Sequence, residues 1–333
     1  MVQTGILLAV LSGVCNGLFT APMKVINRWR WENIWLVFIV TACLVMPILL
    51  VSATVPDVMS LYAKAPRGAV TAAITFGFAW GFGAILFGRS VDRLGVSLAN
   101  TLVIGLSSGL GSLVPLLLGG KLRFETRQVV LLVGVATFMV GVAICGSAGR
   151  KRDGSEALAT GGTNAWTGYI WAAGAGVMSA IFNIGYSLAL PIAATGEAMG
   201  YSPFYATNTI WLLMLGAGSI PNLVYCGILA ARNRSASLWV SDQPAKAWLL
   251  SIVMGLLWGG SIFLYGAATP QLGDLGPSIG WPLSLAIGLL TANLMGFLLG
   301  EWKRAPAAAV RLMRIGVAVL LIAVVFCALS TKV

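Results

Sequence analysis

Ten apolar runs, each about as long as a bilayer is thick, govern what this chain can fold into. They lie near residues 4–23, 33–53, 68–88, 95–118, 128–147, 166–190, 203–230, 247–268, 276–299 and 309–329, with charge, proline or glycine between them. Crossing the hydrocarbon core takes roughly 20 apolar residues as a helix. No water is present there to satisfy an open backbone, so runs of this length adopt helices. With 58% hydrophobic and 9% charged residues in 333, the chain has too little polar surface for a soluble globule. The expected class is all-α integral membrane protein with ten transmembrane helices. The first run has no basic segment ahead of it and reads as a retained span rather than a cleaved signal.

Several chemistries are excluded at once. Histidine is absent, which removes His–metal sites and Ser–His or Cys–His catalysis. Cys15, Cys43, Cys145, Cys226 and Cys327 sit singly in apolar runs without a C-x-x-C pair. They read as small packing residues, not as a disulfide framework or a zinc site. No enzyme activity, catalytic residue, metal or cofactor is expected. The net charge of +11 is scattered in ones, twos and threes between the runs. That pattern sets membrane topology and does not form a nucleic-acid surface. The expected partner is the lipid bilayer, with no nucleic acid and no obligate protein partner.

The basic residues also orient the chain. Fifteen of the 21 follow odd-numbered runs, among them Lys24, Arg89, Arg93, Arg152 and Lys303, and only six follow even-numbered ones or end the chain. The positive-inside rule then places the first set in the cytoplasm and both termini outside it.

The one long hydrophilic connection is RKRDGSEALATGGTN at 150–164, read as a cytoplasmic linker. It divides the chain into two five-span units, 1–149 and 165–333. Their sequences echo each other. Gly77, Trp80, Gly81 and Gly88 have the spacing of Gly255, Trp258, Gly259 and Gly266, and Leu94-Gly95-x-Ser97 answers Leu275-Gly276-x-Ser278. Ser12, Asn16, Phe19 and Thr20 align with Ser179, Asn183, Tyr186 and Ser187. A duplicated unit with an odd number of spans must insert upside down. The expected architecture is therefore two inverted five-helix repeats with a site near the midplane where they meet. The glycine pairs Gly13/Gly17, Gly77/Gly81, Gly105/Gly109 and Gly255/Gly259 are expected to let helix backbones approach closely.

The turn Ala21-Pro22-Met23-Lys24, then Trp29-Arg30-Trp31-Glu32 with Trp35, resembles the first cytoplasmic turn of the L-rhamnose–proton symporter family. FGFAWGFG at 76–83, the Leu94-Gly95-x-Ser97 turn and Gly300-Glu301-Trp302 fit the same pattern. This resemblance implies the drug/metabolite transporter superfamily, its ten-helix inverted-repeat fold, and a proton-coupled sugar importer in the bacterial inner membrane. Ala84, Leu86 and Gly276-Pro277-Ser278 depart from the pattern, which puts the particular sugar and the coupling ion in question, with sodium left open beside the proton.

A sugar site needs hydrogen-bonding groups for hydroxyls and aromatic faces for C–H surfaces. Asn16 and Asn183 are the leading polar candidates, because a mid-span asparagine must face the bundle interior. The same residues also suit plain interhelical hydrogen bonds. Trp80 and Trp258 lie about midway along their runs, deeper than a belt, and are the aromatic candidates, with Phe19, Tyr186, Tyr265 and Trp281 beside them; plain core packing is their other reading. Asn100 and Asn208 are further polar candidates. Trp29, Trp31, Trp35 and Trp302 are assigned to the belt. For proton coupling or gating the candidates are Asp274, Glu32, Glu301 and Lys24, each equally readable as a solvated loop charge. The alternative function is an exporter or uniporter of small amphipathic metabolites.

Overall fold

The structure is a computed structural model that describes residues 2–94, 96–118, 125–153, 165–241, 244–300 and 302–331. Among these residues the secondary structure is helical, without strands. Ten helices have the length and hydropathy to cross a membrane: Val2–Val25, Trp31–Thr54, Arg67–Phe87, Thr101–Leu118, Thr126–Arg152, Trp166–Ala198, Pro203–Arg232, Pro244–Leu272, Gly276–Leu298 and Ala307–Leu329. They are called the first to tenth spans below. Each apolar run of the sequence falls on one of them. The helix containing the fifth span continues through Asp153, so the linker expected from residue 150 begins a turn later. Arg150, Lys151 and Arg152 occupy that last turn, where cations are favoured by the helix dipole. The remainder of the linker, 154–164, lies outside the described residues.

Local chemistry shapes the spans. Pro47 has no N–H and its ring crowds the carbonyl one turn back. The second span absorbs this with a π-helical stretch over Val40–Val45, where the Met46 amide reaches back to the Thr41 carbonyl. The seventh span starts at Ser202, whose hydroxyl caps the Tyr205 amide at 3.3 Å, with Pro203 at the first helical position.

Contacts between spans run mainly across the two halves. The first span packs on the eighth and ninth, the sixth packs on the third and fourth, and the fifth packs on the tenth. Glycine sets the closest approaches. A Cβ on Gly77 would strike the Met214 carbonyl and one on Gly81 the Gly218 carbonyl, which seats the third span on the seventh. In the same way Gly255 meets Thr41 and the Phe38 carbonyl, while Gly259 meets Ala42 and Met46, seating the eighth span on the second. Gly13 and Gly17 pack against Ile287, Gly288 and Thr291 of the ninth span. Gly105 departs from expectation: nothing lies within 4 Å of its Cβ position, and Gly109 meets only the Met139 side chain. That face of the fourth span has no helix backbone against it.

Loop contacts sort the two ends. Connections after odd spans share one end, where Trp29 meets Trp248 and Arg152 lies 4.9 Å from the Trp302 ring centroid. Connections after even spans share the other, where the Tyr62 hydroxyl donates to the Thr209 carbonyl at 2.8 Å.

These approaches generate a stability prediction. Gly77→Ala or Gly255→Ala should lower the detergent-solubilised melting temperature, because overpacking a backbone contact costs about 1–3 kcal/mol. Gly105→Ala should leave it nearly unchanged. Equal effects at all three positions in a thermal-shift series would contradict the packing described.

Candidate functional site

The two tryptophans that correspond in sequence, Trp80 and Trp258, stack on each other at the centre of the bundle. Their ring centroids are 5.3 Å apart and their planes differ by 10°. Around them is a cavity of about 220 Å³ lined by residues of both halves. Ser12, Asn16, Ser179, Asn222, Ser261 and Ser284 give it a polar lining, and Phe19, Trp35, Phe38, Phe87, Phe182, Tyr265 and Trp281 an aromatic one. Among the described residues, no charged side chain lines it. The volume falls just below the roughly 300–1,000 Å³ usual for drug-sized ligands, which suits one small neutral molecule.

Polar contacts fix the walls. Ser12 and Ser284 share a hydrogen bond of 2.8 Å, as do Ser107 and Ser179. The aligned serines of the first and sixth spans thus each meet a serine of the opposite half. Trp281 Nε1 donates to the Ser107 carbonyl at 3.2 Å. Asn222 donates to the carbonyls of Gly81 and Gly218 at 2.9 and 3.1 Å and accepts from Trp35 Nε1 at 3.1 Å. Its amide is used in holding the second, third and seventh spans together and in setting the Trp35 ring as a wall.

Above the cavity, away from the basic end, the path is sealed. Asn183 Nδ2 donates to the carbonyls of Gly111 and Pro277 at 2.8 and 3.1 Å, and its Oδ1 accepts from the Tyr265 hydroxyl. The Tyr186 hydroxyl shares a hydrogen bond with Thr269, and its ring stacks on Trp211 at 4.4 Å. Asn183, Tyr186, Trp211 and Tyr265 are buried. From outside, Arg127 Nη2 donates to the Leu272 carbonyl and Nε to the Ser330 carbonyl, both at 3.2 Å. The turn Thr269–Leu272 is therefore held from within by Tyr186 and from without by Arg127.

Toward the basic end the path is open. A second cavity of about 490 Å³ shares Asn16, Phe19, Phe87 and Leu285 with the central one and runs to Lys24, Arg152 and Trp302. Asn16, Phe19 and Phe87 correspond in sequence to Asn183, Tyr186 and Tyr265. One set lines an open vestibule and the other closes a seal.

The expected site residues divide accordingly. Asn16, Phe19, Trp80, Trp258, Tyr265 and Trp281 line the central cavity, and Asn183 and Tyr186 form the seal just beyond it. Asn208 is fully buried away from the cavity, with both amide atoms unpartnered. The Asn100 side chain and all of Glu301 lie outside the described residues. Lys24 lines the mouth of the vestibule. Asp274 is exposed beside the Thr269–Leu272 turn and does not line the cavity; Thr269 is the residue of that hairpin that reaches the seal. Glu32 is buried at 4% exposure in a clasp, accepting from Asn233 Nδ2 and Ser235 Oγ at 2.9 Å each.

Trp35 corrects the expectation of an interfacial role. The second span begins at Trp31, so Trp35 sits one turn in and faces Asn222. Sequence reasoning also passed over Ser12, Ser179, Asn222 and Ser284 as lining residues. Equivalence between Ser12 and Ser179 was the available signal, because a small hydroxyl repeated in both halves marks corresponding walls.

Comparison with known proteins then places the chain. Residues 1–332 match the family model "L-rhamnose-proton symport protein (RhaT)". The chain belongs to this family. It is 28% identical over 330 residues to an L-rhamnose-proton symporter of Cronobacter sakazakii, covering 97% of this chain and 96% of that one. It is 25% identical over 331 residues to one from Escherichia coli O1:K1 / APEC, with the same coverage. A solved structure described as "Crystal structure of protein" superposes with a TM-score of 0.60 at 14% identity, covering 98% of this chain and 96% of that chain, which supports the fold.

The seal's extra hydroxyls have a measurable consequence. Phe19 and Phe87 lack the hydroxyls by which Tyr186 and Tyr265 close the opposite side. Tyr186→Phe and Tyr265→Phe should each remove about 1 kcal/mol from the sealed state. Each should raise thiol labelling, from the sealed side, of a cysteine placed at the buried Leu272 several-fold. Unchanged labelling in both variants would show that these hydroxyls do not hold the seal.

Proposed function

We propose that this membrane protein imports a neutral monosaccharide, L-rhamnose or a related deoxysugar, by proton symport with alternating access. The observation that carries the sugar reading is the uncharged cavity of aromatic rings, serines and Asn16 around the Trp80–Trp258 stack. Rings offer faces to the C–H surfaces and the methyl group of a deoxysugar, while hydroxyls and amides pair with its hydroxyls. Membership of a family named for L-rhamnose-proton symport, and relatives bearing that name over nearly the whole chain, support the same substrate class.

Alternating access rests on reading 1–149 and 165–333 as inverted copies. Three observations support it. Trp80 and Trp258, which correspond, touch each other, as residues on a two-fold axis must. The third span seats on the seventh as the eighth seats on the second. The first span packs on the eighth and ninth as the sixth packs on the third and fourth. The conformer is then inward-facing: its vestibule opens among Lys24 and Arg152 at the end bearing most of the basic residues, which the positive-inside rule assigns to the cytoplasm. Both termini lie on the periplasmic side of the bacterial inner membrane in this reading.

For coupling, Glu32 is favoured over Asp274. It is the buried carboxylate among the described residues, and its clasp joins the start of the second span to the segment after the seventh. As a carboxylate it accepts from both Asn233 and Ser235. A proton on Oε1 would weaken both bonds and loosen the cytoplasmic end of the two spans, tying proton occupancy to gate position. Lys24 and Glu301 belong to the inner gate in this scheme. A uniporter or exporter of amphipathic metabolites is the second reading, favoured by the lack of any carboxylate among the cavity-lining residues.

In proteoliposomes, external L-rhamnose should give saturable uptake with external alkalinisation. Trp80→Ala should abolish uptake without loss of folded protein. Glu32→Gln should retain sugar exchange between the two sides while losing proton-driven accumulation. Saturable uptake with no pH signal would leave a uniporter, and no uptake of any deoxyhexose or hexose would favour the exporter.

A further inference from the structure

The glycine contacts fix a register between the second and seventh spans. The Phe38 carbonyl meets Gly255 as the Met214 carbonyl meets Gly77, and the Ala42 carbonyl meets Gly259 as the Gly218 carbonyl meets Gly81. Counted from those pairs, Trp35 corresponds to Trp211 and Asn33 to Thr209. A separate pair of hydrogen bonds gives the same register. Trp239 Nε1, in the short helix after the seventh span, donates to the Asn33 carbonyl at 3.4 Å. Tyr62, in the short helix after the second span, donates to the Thr209 carbonyl at 2.8 Å.

The two tryptophans differ in what surrounds them. Trp35 lines the open cavity, and its Nε1–H is committed to Asn222. Trp211 is fully buried within the outer seal, its ring stacked on Tyr186 at 4.4 Å and 7° and against Phe182 at 5.5 Å and 25°. Its Nε1 lies against Gly266, where a Cβ would overlap it, and has no acceptor. The same register places Met46 where Asn222 stands, so no amide corresponds to the one that accepts from Trp35. A buried N–H without an acceptor is destabilising, and here it sits beside a hinge-like turn in a protein that must open on this side.

We propose that Trp211 is the outward-facing counterpart of Trp35: when the seal opens, its ring becomes a wall of the sugar cavity and its Nε1–H donates to a substrate hydroxyl. This proposal rests on the alternating-access reading above and adds to it a contact specific to the outward state. The register also separates Trp211 from Asn208. Asn208 corresponds to Glu32, which faces a clasp rather than the cavity, so Asn208 is not assigned to the sugar.

The test is sided. Trp211→Phe keeps an aromatic ring and removes the donor. In oriented proteoliposomes it should raise the half-saturation concentration for L-rhamnose at the outer face about three- to tenfold, the range for one lost neutral hydrogen bond. The inner-face value should change less than about twofold on the same scale. Equal shifts on both faces, or none, would overturn the proposal. A second measurement is independent of transport. In a variant lacking the native cysteines, Trp211→Cys should react with a membrane-impermeant thiol reagent from the outer face only, and L-rhamnose should slow the reaction. No outer-face reaction, or reaction that L-rhamnose leaves unaltered, would contradict it. If the parent protein takes up no L-rhamnose, the sugar reading falls, and the labelling from the outer face still decides whether Trp211 lines the outward cavity.

Discussion

Apolar helices in hydrocarbon gain little by leaving lipid for one another, so the bundle depends on close backbone approach and on buried hydrogen bonds. Gly77, Gly81, Gly255 and Gly259 supply the first across the interface between halves. Ser12 with Ser284, Ser107 with Ser179, and Asn222 with Gly81 and Trp35 supply the second. Each such bond between spans is worth roughly 0.6 kcal/mol on average. None dominates, and the halves are held by many small terms that a moving interface can exchange.

Exchange is where the two ends differ. Corresponding positions carry Asn183, Tyr186 and Tyr265 at the seal and Asn16, Phe19 and Phe87 at the open vestibule. Phenol hydroxyls stabilise closure on one side, and phenylalanine leaves the other to packing alone. This difference favours the conformer observed, open toward Lys24 and Arg152 and closed at the other end. In the proposed inverted-repeat scheme, pseudo-symmetry supplies the two states and the departures from it set their balance.

Much of this was legible in the sequence, and the failures have physical causes. The spans were readable because bilayer thickness fixes their length and charge cannot sit within them. Asn16, Trp80, Trp258, Tyr265 and Trp281 stood out as bulky or polar residues deep in apolar runs, and they do meet at one cavity. Trp35 was misread because belt tryptophans and cavity tryptophans near a span's start look alike until a partner such as Asn222 is located. Gly105 was misread because small residues facing open space have the same spacing as those facing a helix. Asp274 stood out as a charge in a short loop and is exposed beside the turn, yet Thr269, an ordinary residue in sequence, is the one that reaches the seal.

The central claim is that both halves move about an axis through the Trp80–Trp258 stack, so that one mouth closes as the other opens. Paired spin labels at the exposed positions Thr20 and Leu299, one in each half, report the inner mouth, and labels at Lys64 and Asp274, again one in each half, report the outer one. Under conditions that trap the outward state, the inner distance should shorten while the outer distance lengthens. Two distances that change in the same direction, or an outer mouth that never widens, would contradict the account.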